Sequence, residues 1–199
     1  MSNTRNNSVL NSYLRSSKKR ILDVLLSLLA LPVVLPLLVF GLLLAALGSR
    51  GPLIFRQTRV GLEGRNFELL KIRTLKVGTV DRNAGTYAGD PSIERFGYFL
   101  RRWRIDELPQ IWNIFKGEMS WIGPRPERPE LIYGSYDQLP NYCRRHEALP
   151  GITGWAQVHR PDAKPDEADL KLPYDLEYIE LANLALDLRI LLQTLKVMG

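Results

Sequence analysis

The sequence has few residues that supply thiol or imidazole chemistry. A single cysteine, Cys143, stands among 199 residues, so no disulfide can form within the chain, and this scarcity is typical of a reducing compartment. The two histidines, His146 and His159, are not spaced as metal ligands are. We therefore expect a buried, inert thiol at Cys143 and ordinary polar roles for both histidines.

The motifs of several common enzyme classes are also absent. The chain has no P-loop, no dinucleotide-binding glycine pattern, no paired-histidine or paired-cysteine metal motif, and no serine-hydrolase elbow. These absences argue against nucleotide-loop ATPases, dehydrogenases, zinc enzymes and serine hydrolases. Carboxylates and arginines remain as the reactive side chains.

The size and charge of the chain favour one domain with an anionic partner. A chain of 199 residues can bury a core of its own without disulfide or metal support. The formal net charge of +6 favours contact with lipid headgroups, nucleic acid or a phosphorylated substrate. Charge alone does not select among these three.

A long apolar run occupies residues 21–47, and Asp23 is its one ionisable residue. As a straight helix the run would extend about 40 Å, which exceeds a hydrocarbon core of about 30 Å. The apolar core of a cleaved signal peptide is shorter, so we expect a permanent anchor. We assign the anchor to residues 18–48, after a polar segment at 1–17 and before a globular domain at 49–199.

The flanks of this run favour a helix that enters the membrane and returns to the same face. Basic residues lie on both sides of the run: Arg5, Arg15, Lys18, Lys19 and Arg20 before it, and Arg50, Arg56, Arg59 and Arg65 after it. A spanning helix concentrates such residues on its cytoplasmic side. Pro32 and Pro36 supply a bend. A single span with proline kinks is the alternative.

The remaining pattern predicts an α+β fold that is mainly helical. Two strands at 53–59 and 67–73, joined by a glycine-containing turn, predict a small β-hairpin. Helical patterns occur at 92–103, 108–115, 127–136, 141–148, 167–179 and 184–198. The last is an amphipathic C-terminal helix with a leucine face. Residues 79–91 predict a loop long enough to be a lid, and residues 149–158 a turn-rich segment.

The segment at residues 101–126 carries the strongest chemical signal. The adjacent acids Asp106 and Glu107 can serve phosphoryl transfer, because one carboxylate can attack phosphorus while the other helps to hold magnesium or tunes its neighbour's charge. Arg101 and Arg125 can bind phosphate oxygens, the latter from a stiff Gly-Pro-Arg-Pro loop. The alternative interpretation is that the two acids merely begin a helix.

Long blocks of sequence around this segment resemble a known family. The blocks lie at residues 19–23, 60–74, 96–126, 149–158, 174–179 and 186–198. In them the chain resembles the bacterial sugar transferases of the monotopic polyprenyl-phosphate phosphoglycosyl transferase type, in their small form with a single catalytic domain.

The resemblance implies an enzyme of the bacterial inner membrane, with its catalytic domain facing the cytoplasm. Such an enzyme moves a sugar 1-phosphate from a UDP-sugar to polyprenyl (undecaprenyl) phosphate with release of UMP. The reaction is ping-pong, passes through an aspartyl phospho-sugar, and is the first membrane step of glycoconjugate biosynthesis. By motif match, Asp106 is the nucleophile, Glu107 its partner, and both contact Mg²⁺. The implied phosphate-binding residues are Arg101, Arg125, Lys71, Arg73 and Gln157.

The resemblance also implies a re-entrant helix broken at a Ser-Pro pair. Pro36 fits the position of the proline, but Leu35 stands where the family has serine. Because the serine hydroxyl is missing, we expect Pro32 and Pro36 to form the break together. A homodimer is a further expectation, whereas the sequence does not identify the sugar.

Two other classes of function compete with the transferase. A non-catalytic membrane adaptor would dock anionic lipid or a protein through its basic face, with Asp106 and Glu107 only capping a helix. A nucleic-acid-binding protein rests on net charge alone, since no recognisable module accompanies the charge. We therefore expect lipid contact and no nucleic-acid partner.

Overall fold

The computed structural model describes residues 11–48, 51–79, 90–136, 138–163 and 167–198. Most of the loop predicted as a lid lies outside these residues. Within them the chain is mostly helical, with two small two-stranded sheets. The expected α+β class with a mainly helical content is confirmed.

The first long helix, α1, runs from Ser17 to Gly48 and contains the whole apolar run. It is long and apolar enough, by length and composition, to cross a membrane. Pro32 and Pro36 both lie inside it. Its outward side is apolar and exposed, as at Leu29 and Leu47.

The first turns of α1 are fixed to the rest of the protein by buried polar contacts. The Lys19 ammonium group lies 2.7 Å from Oδ2 of Asp187. Asp23 is fully buried and accepts hydrogen bonds from the Ser120 hydroxyl at 2.8 Å and the Trp121 backbone N–H at 3.1 Å. Burying these charges is tolerable because each has a partner.

The last turns of α1 pack on the same body through apolar contacts. Gly41 has no room for a side chain, because a Cβ there would lie 2.7 Å from Ile105 and 2.8 Å from Ile72. Ala45 joins the same core cluster, and the Phe40 ring meets Phe99 edge to face. Both ends of the apolar helix are therefore attached to one globular unit.

The predicted hairpin is confirmed. Strands β1 (Ile54–Val60) and β2 (Asn66–Ile72) pair antiparallel. The turn between them needs left-handed backbone at Glu63 and Gly64, with φ of 56° and 74°, and glycine adopts this conformation at little cost. Leu69 and Ile72 point into the core.

Two short helices, α2 (Gly97–Arg102) and α3 (Gln110–Lys116), flank a 3₁₀ turn at Ile105–Glu107. α2 begins later than the pattern from residue 92 predicted. The reason is local, because the Asp90 carboxylate accepts from both the backbone N–H and the hydroxyl of Ser92 and holds this segment in a turn. α3 ends at Gly117, whose φ is 81°.

A second, parallel sheet was not predicted. Strands β3 (Ser120–Ile122) and β4 (Gly151–Thr153) pair side by side. β4 lies where the sequence predicted only a turn-rich segment, and three residues are too few to show the alternation typical of a strand.

The remaining elements are helical. They are α4 (Pro129–Leu131) with a π turn at Ile132–Tyr136, a 3₁₀ segment at Tyr142–Glu147, α5 (Trp155–His159), α6 (Ala168–Leu181) and α7 (Leu184–Met198). The bounds of α7 agree with the prediction. Ile179 and Ile190 are buried with Ile122 of β3 in one cluster, so α6 and α7 support the parallel sheet.

Candidate active site

The two adjacent acids lie in the 3₁₀ turn between α2 and α3. Their side chains are both buried, with only 6% of Asp106 and 8% of Glu107 exposed. Arg104, just before the turn, has a left-handed backbone with φ of 54°. A non-glycine residue in this conformation is strained, and such strain occurs often at functional sites.

Glu107 is surrounded by cations. Its Oε1 lies 2.9 Å from the Lys71 ammonium group and 2.8 Å from the Arg125 guanidinium group, and its Oε2 lies 3.5 Å from Arg104. Burial alone would raise the pKa of Glu107, but these three cations hold it well below its usual range. Glu107 in turn raises the pKa of Arg125. This carboxylate therefore stays ionised and organises the cations around it.

Asp106 is in the opposite situation. None of the hydrogen bonds or ion pairs among the described residues involves its carboxylate. Burial and the neighbouring charge of Glu107 raise the pKa of Asp106 to about 6, against the opposing charges of Lys71, Arg101 and Arg104. A buried carboxyl group with a raised pKa, next to several cations, is a candidate functional group at a site for an anionic substrate.

The cations reach Glu107 from different parts of the fold. Lys71 comes from β2, opposite Phe55 in the hairpin register. Arg125 comes from the loop after β3, and Arg104 from the turn itself. The hairpin and the parallel sheet together therefore complete the site around α2 and α3.

The loop that carries Arg125 is fixed to β4 by its backbone. The Gly123 N–H donates to the Thr153 carbonyl, and the Gly151 N–H donates to the Pro124 carbonyl, both at 2.9 Å. A Cβ at Gly123 would lie 2.2 Å from the Leu149 carbonyl oxygen. Only glycine permits this close approach of two backbones.

The other residues suggested by the sequence have different surroundings. Arg101 donates from Nε to the Thr74 hydroxyl at 2.7 Å, and its charge reaches Asp106. Arg73 turns away from Glu107, because its Nε donates to the Pro52 carbonyl at 2.7 Å. The structure thus gathers Lys71, Arg101 and Arg125 around the acids and leaves Arg73 outside this group.

Gln157 lies on α5, after the second strand of the parallel sheet. Both polar atoms of its side chain are buried without a hydrogen-bond partner among the described residues. A Cβ at Gly154 would lie 2.7 Å from its Oε1. Gln157 therefore lies beside Gly154, the residue that follows β4. No contact among the described residues joins Gln157 to Asp106 or Glu107.

The carboxylate oxygens at the two acids suit a magnesium ion whose remaining ligands come from the substrate. The described residues include no cluster of three or more histidine, cysteine or acidic side chains that could hold a metal. Glu107 is already paired with three cations, whereas Asp106 has no partner. Protein Mg²⁺ sites often use one or two carboxylates together with substrate phosphates. Asp106 fits the protein part of such a site.

Some members of the site were missed by the sequence reasoning. Arg104 stands three residues before Glu107, and this spacing on a helical turn was a usable signal for an ion pair. The contact of Thr74 with Arg101 joins residues 27 positions apart, so no local pattern could reveal it. The simple helix-cap interpretation also loses support, because no side chain caps the start of α3.

Comparison with known proteins gives a consistent result. The family model described as bacterial sugar transferase matches residues 14–199. The chain is 38% identical over 192 residues to a UDP-N-acetylgalactosamine-undecaprenyl-phosphate N-acetylgalactosaminephosphotransferase of Aeromonas hydrophila, covering 95% of this chain and 45% of that protein. It is 38% identical over 187 residues to an undecaprenyl-phosphate glucose phosphotransferase of Komagataeibacter xylinus, covering 90% and 35%.

A shorter relative matches over most of its length. The chain is 38% identical over 184 residues to the exopolysaccharide production protein PSS of Rhizobium leguminosarum bv. phaseoli, covering 88% of this chain and 92% of that protein. The chain therefore spans less than half of the two longer relatives and nearly all of this one.

Proposed function

The chain belongs to the bacterial sugar transferase family, and on that basis we propose that it is a membrane-bound phosphoglycosyl transferase. It moves a sugar 1-phosphate from a UDP-sugar to polyprenyl phosphate, such as undecaprenyl phosphate. The names of the relatives support the reaction class. The observation that carries the proposal is the buried Asp106 carboxylate, which lacks a partner beside a carboxylate held by three cations.

In the first proposed step, an Asp106 carboxylate oxygen attacks the phosphorus nearest the sugar. A new bond forms between this oxygen and phosphorus, while the bond to the bridging oxygen breaks and UMP leaves with that oxygen and the electron pair. Arg101 and Arg125 are suited to bind the phosphate oxygens in this step, because guanidinium groups contact them in pairs.

In the second step, an oxygen of the lipid phosphate attacks the same phosphorus atom. The bond from phosphorus to Asp106 breaks, the carboxylate is restored, and the sugar leaves as a lipid-linked diphosphate. Glu107 keeps its charge throughout and holds Lys71 and Arg125 in place. A two-step reaction of this kind is ping-pong, because UMP departs before the lipid phosphate reacts.

Magnesium is part of the proposal. The ion would be held by Asp106 and the diphosphate of the donor, and when bound it neutralises charge on the leaving phosphate. Both oxygens of Glu107 are already paired with cations. Its proposed role is therefore to hold these cations in place beside the bound ion.

We also propose that α1 is a re-entrant helix of the bacterial inner membrane and that the rest of the chain faces the cytoplasm. Both ends of α1 contact one globular unit, through Lys19 and Gly41, which favours entry and return at one face. Val34, between the two prolines, is 8% exposed whereas Val33 is 64% exposed. Because neighbouring helical residues face different sides, this contrast means that one side of α1 is covered at the level of the two prolines. The ground for proposing a bend there is the presence of Pro32 and Pro36 inside the helix.

The test is UMP release by the purified protein from a panel of UDP-sugars, with polyprenyl phosphate and Mg²⁺ present. One UDP-sugar should release UMP with the wild type, EDTA should stop the release, and Asp106→Asn should reduce it at least ~1000-fold. Native UMP release by Asp106→Asn, or none with any donor, would favour the non-catalytic adaptor instead.

A further inference from the structure

Four successive carbonyl groups of the loop at residues 124–127 are each held from outside the loop. The pairs are Pro124 O with Gly151 N–H at 2.9 Å, Arg125 O with Arg145 Nη2 at 2.8 Å, Pro126 O with Arg59 Nη1 at 3.0 Å, and Glu127 O with Val60 N–H at 3.0 Å. The donors come from β4, the 3₁₀ segment Tyr142–Glu147 and β1. The loop therefore has no unbound carbonyl along this stretch.

The sequence of the loop explains why its partners come from elsewhere. Pro124 and Pro126 have no backbone N–H, so the loop cannot donate into a regular ladder. Its carbonyl groups still need donors when buried. Two of the four donors are arginine side chains, Arg59 and Arg145, which reach the loop across 67 and 20 residues of sequence.

Arg145 is the more deeply buried of the two arginines. It is 6% exposed, and its charge is paired with the Asp175 carboxylate at 2.8 Å. Its Nη1 also donates to the Tyr142 hydroxyl. Placing a guanidinium group here requires a buried partner at Asp175, which is a costly way to satisfy one carbonyl group.

We propose that Arg145 is a positioning residue for Arg125. The carbonyl that Arg145 holds belongs to Arg125 itself, the residue whose guanidinium group meets Glu107 at 2.8 Å. Holding this carbonyl fixes the backbone from which the Arg125 side chain extends toward the site. Arg145 does not contact Asp106 or Glu107 among the described residues, so it acts through Arg125.

This inference rests on the proposed function, because the consequence is a rate. A misplacement of ~1 Å in a substrate-binding group can reduce a rate by ~100-fold. If Arg125 binds phosphate, loss of the Arg145 contact should reduce kcat/KM without removing any group that touches substrate.

The test is a double-mutant cycle on UMP release, with Arg145→Gln, Arg125→Ala and the double variant. We expect Arg145→Gln to lower kcat/KM by at least ~10-fold in the wild-type background. In the Arg125→Ala background the same change should cost less than ~3-fold, since there is no guanidinium group left to position. Equal losses in both backgrounds would overturn the proposal.

Two further variants separate positioning from simple loss of stability. Arg145→Gln leaves Asp175 buried without its cation, so Arg145→Gln/Asp175→Asn removes both charges and keeps the protein folded. This pair should show the same dependence on Arg125 in the cycle. Arg144→Gln is the matched control, because Arg144 is the neighbouring arginine and pairs at the surface with Glu180. It should leave kcat/KM unchanged.

A second readout does not depend on catalysis. Hydrogen exchange at the loop, measured on peptides covering residues 119–128, should accelerate in Arg145→Gln/Asp175→Asn and stay unchanged in Arg144→Gln. If exchange were faster in the variant but the wild type released no UMP, the transferase proposal would be refuted, and the contact between Arg145 and the Arg125 loop would be supported. Unchanged exchange with an additive cycle would refute the positioning proposal and leave the transferase standing.

Discussion

Asp106 and Glu107 are neighbours in sequence with opposite electrostatic surroundings. Glu107 is paired with three cations, which lower its pKa. No hydrogen bond or ion pair from the part of the chain that the structure describes reaches the Asp106 carboxylate, and burial together with Glu107 raises its pKa to about 6. Environments that separate the pKa values of two close carboxyl groups often mark different chemical roles. The pair therefore divides into a carboxyl group with a raised pKa, which suits the proposed nucleophile, and a carboxylate that is paired with cations.

Replacing Asp106 should stabilise the protein. The folded state binds a proton at Asp106 more tightly than the unfolded state, so stability falls as the pH rises from the unfolded pKa of 3.8 through about 6. Asp106→Asn removes this penalty and should raise the free energy of unfolding by roughly 1–3 kcal/mol at pH 7.5. Thermal unfolding at pH 7.5 and pH 4.5 measures the gain, which should shrink at the lower pH. A destabilised Asp106→Asn protein at pH 7.5 would contradict this account.

Replacing Glu107 should have the opposite effect on stability. Glu107→Gln leaves Lys71 and Arg125 close together without their shared carboxylate. Because both cations keep some solvent contact, we expect a loss of roughly 2 kcal/mol rather than the full cost of breaking a buried pair. The measurement is thermal unfolding at pH 7.5 beside Asp106→Asn. If both variants moved the melting temperature in one direction, the division of roles would be wrong.

The rate of UMP release should depend on the ionisation of Asp106. A carboxylic acid is a poor nucleophile, and kcat/KM reports ionisation in the free enzyme, before the donor and Mg²⁺ bind. This rate constant should therefore rise with pH through about 6, the pKa to which burial and Glu107 raise Asp106. Glu107 does not contribute to this rise, because its cations keep it ionised at lower pH. The check is a profile of kcat/KM from pH 4.5 to 8.5. A flat profile over pH 5–7 would show that Asp106 is ionised throughout and that its surroundings do not raise its pKa.

The sequence predicted the two acids, and the resemblance gave them different roles, but the sequence did not predict the contacts that make their surroundings different. The pair and the nearby arginines lie in one short segment, where spacing and composition are informative. The contacts that distinguish Glu107 come from Lys71 and Arg125, 36 and 18 residues away. Their position depends on how the hairpin and the Arg125 loop pack against the turn, and no local pattern encodes that packing.

At the scale of elements, the sequence predicted the helices and strands that are long enough to show a regular hydrophobic pattern. α7 and the β1–β2 hairpin have enough residues to show their periodicity. The β3–β4 sheet was missed because each strand has three residues, and glycines at Gly123 and Gly151 resemble a loop until their backbones are seen in contact. Long-range backbone pairing, rather than local propensity, defines this part of the fold.

The helix α1 supports a specific topological prediction. Because its two ends pack on one body, residues just before and just after it should lie on one side of the membrane. The probes are Ser12→Cys and Lys76→Cys, both at exposed positions, in a Cys143→Ser background. This background removes the native thiol, which is exposed rather than buried, in contrast to the expectation from the sequence. A membrane-impermeant maleimide should label both only after the inner membrane of spheroplasts is opened. Labelling of one site alone in sealed spheroplasts would indicate a single span.

At the scale of the whole molecule, a buried polar network joins the apolar helix to the C-terminal helices. Asp187 of α7 accepts from Lys19 of α1 at 2.7 Å, from the Tyr13 hydroxyl at 2.8 Å and from the Tyr178 hydroxyl at 2.9 Å. Lys19 also donates to the Ile122 carbonyl of β3 at 3.1 Å. The start of α1, β3 and the C-terminal helices therefore meet in one network around Lys19 and Asp187, which fixes α1 relative to the sheet that carries the Arg125 loop.

Removing only the charge of Lys19 should lower the free energy of unfolding more than removing the charges of both Lys19 and Asp187. Lys19→Met leaves Asp187 fully buried without its cation, and we expect a loss of roughly 3 kcal/mol. Lys19 also lies 3.8 Å from the buried Asp23 carboxylate, which loses this cation in both variants. Lys19→Met/Asp187→Asn removes the unpaired charge at Asp187, and the amide oxygen can still accept from the tyrosines. The part of the loss that Asp187 causes should therefore be recovered.

The control for this prediction is Lys18→Met, since Lys18 is the exposed neighbour of Lys19 and a change there should stay within about 0.5 kcal/mol. Thermal unfolding of all variants in one detergent gives the comparison. If the double variant were as unstable as Lys19→Met, the loss of the lysine stem, its contact with Ile122 and its ion pair with Asp23, rather than the unpaired charge of Asp187, would account for the effect. Recovery in the double variant would instead show that the charge of Asp187 requires the first turns of α1, and that α1 and the rest of the protein are stabilised as one unit.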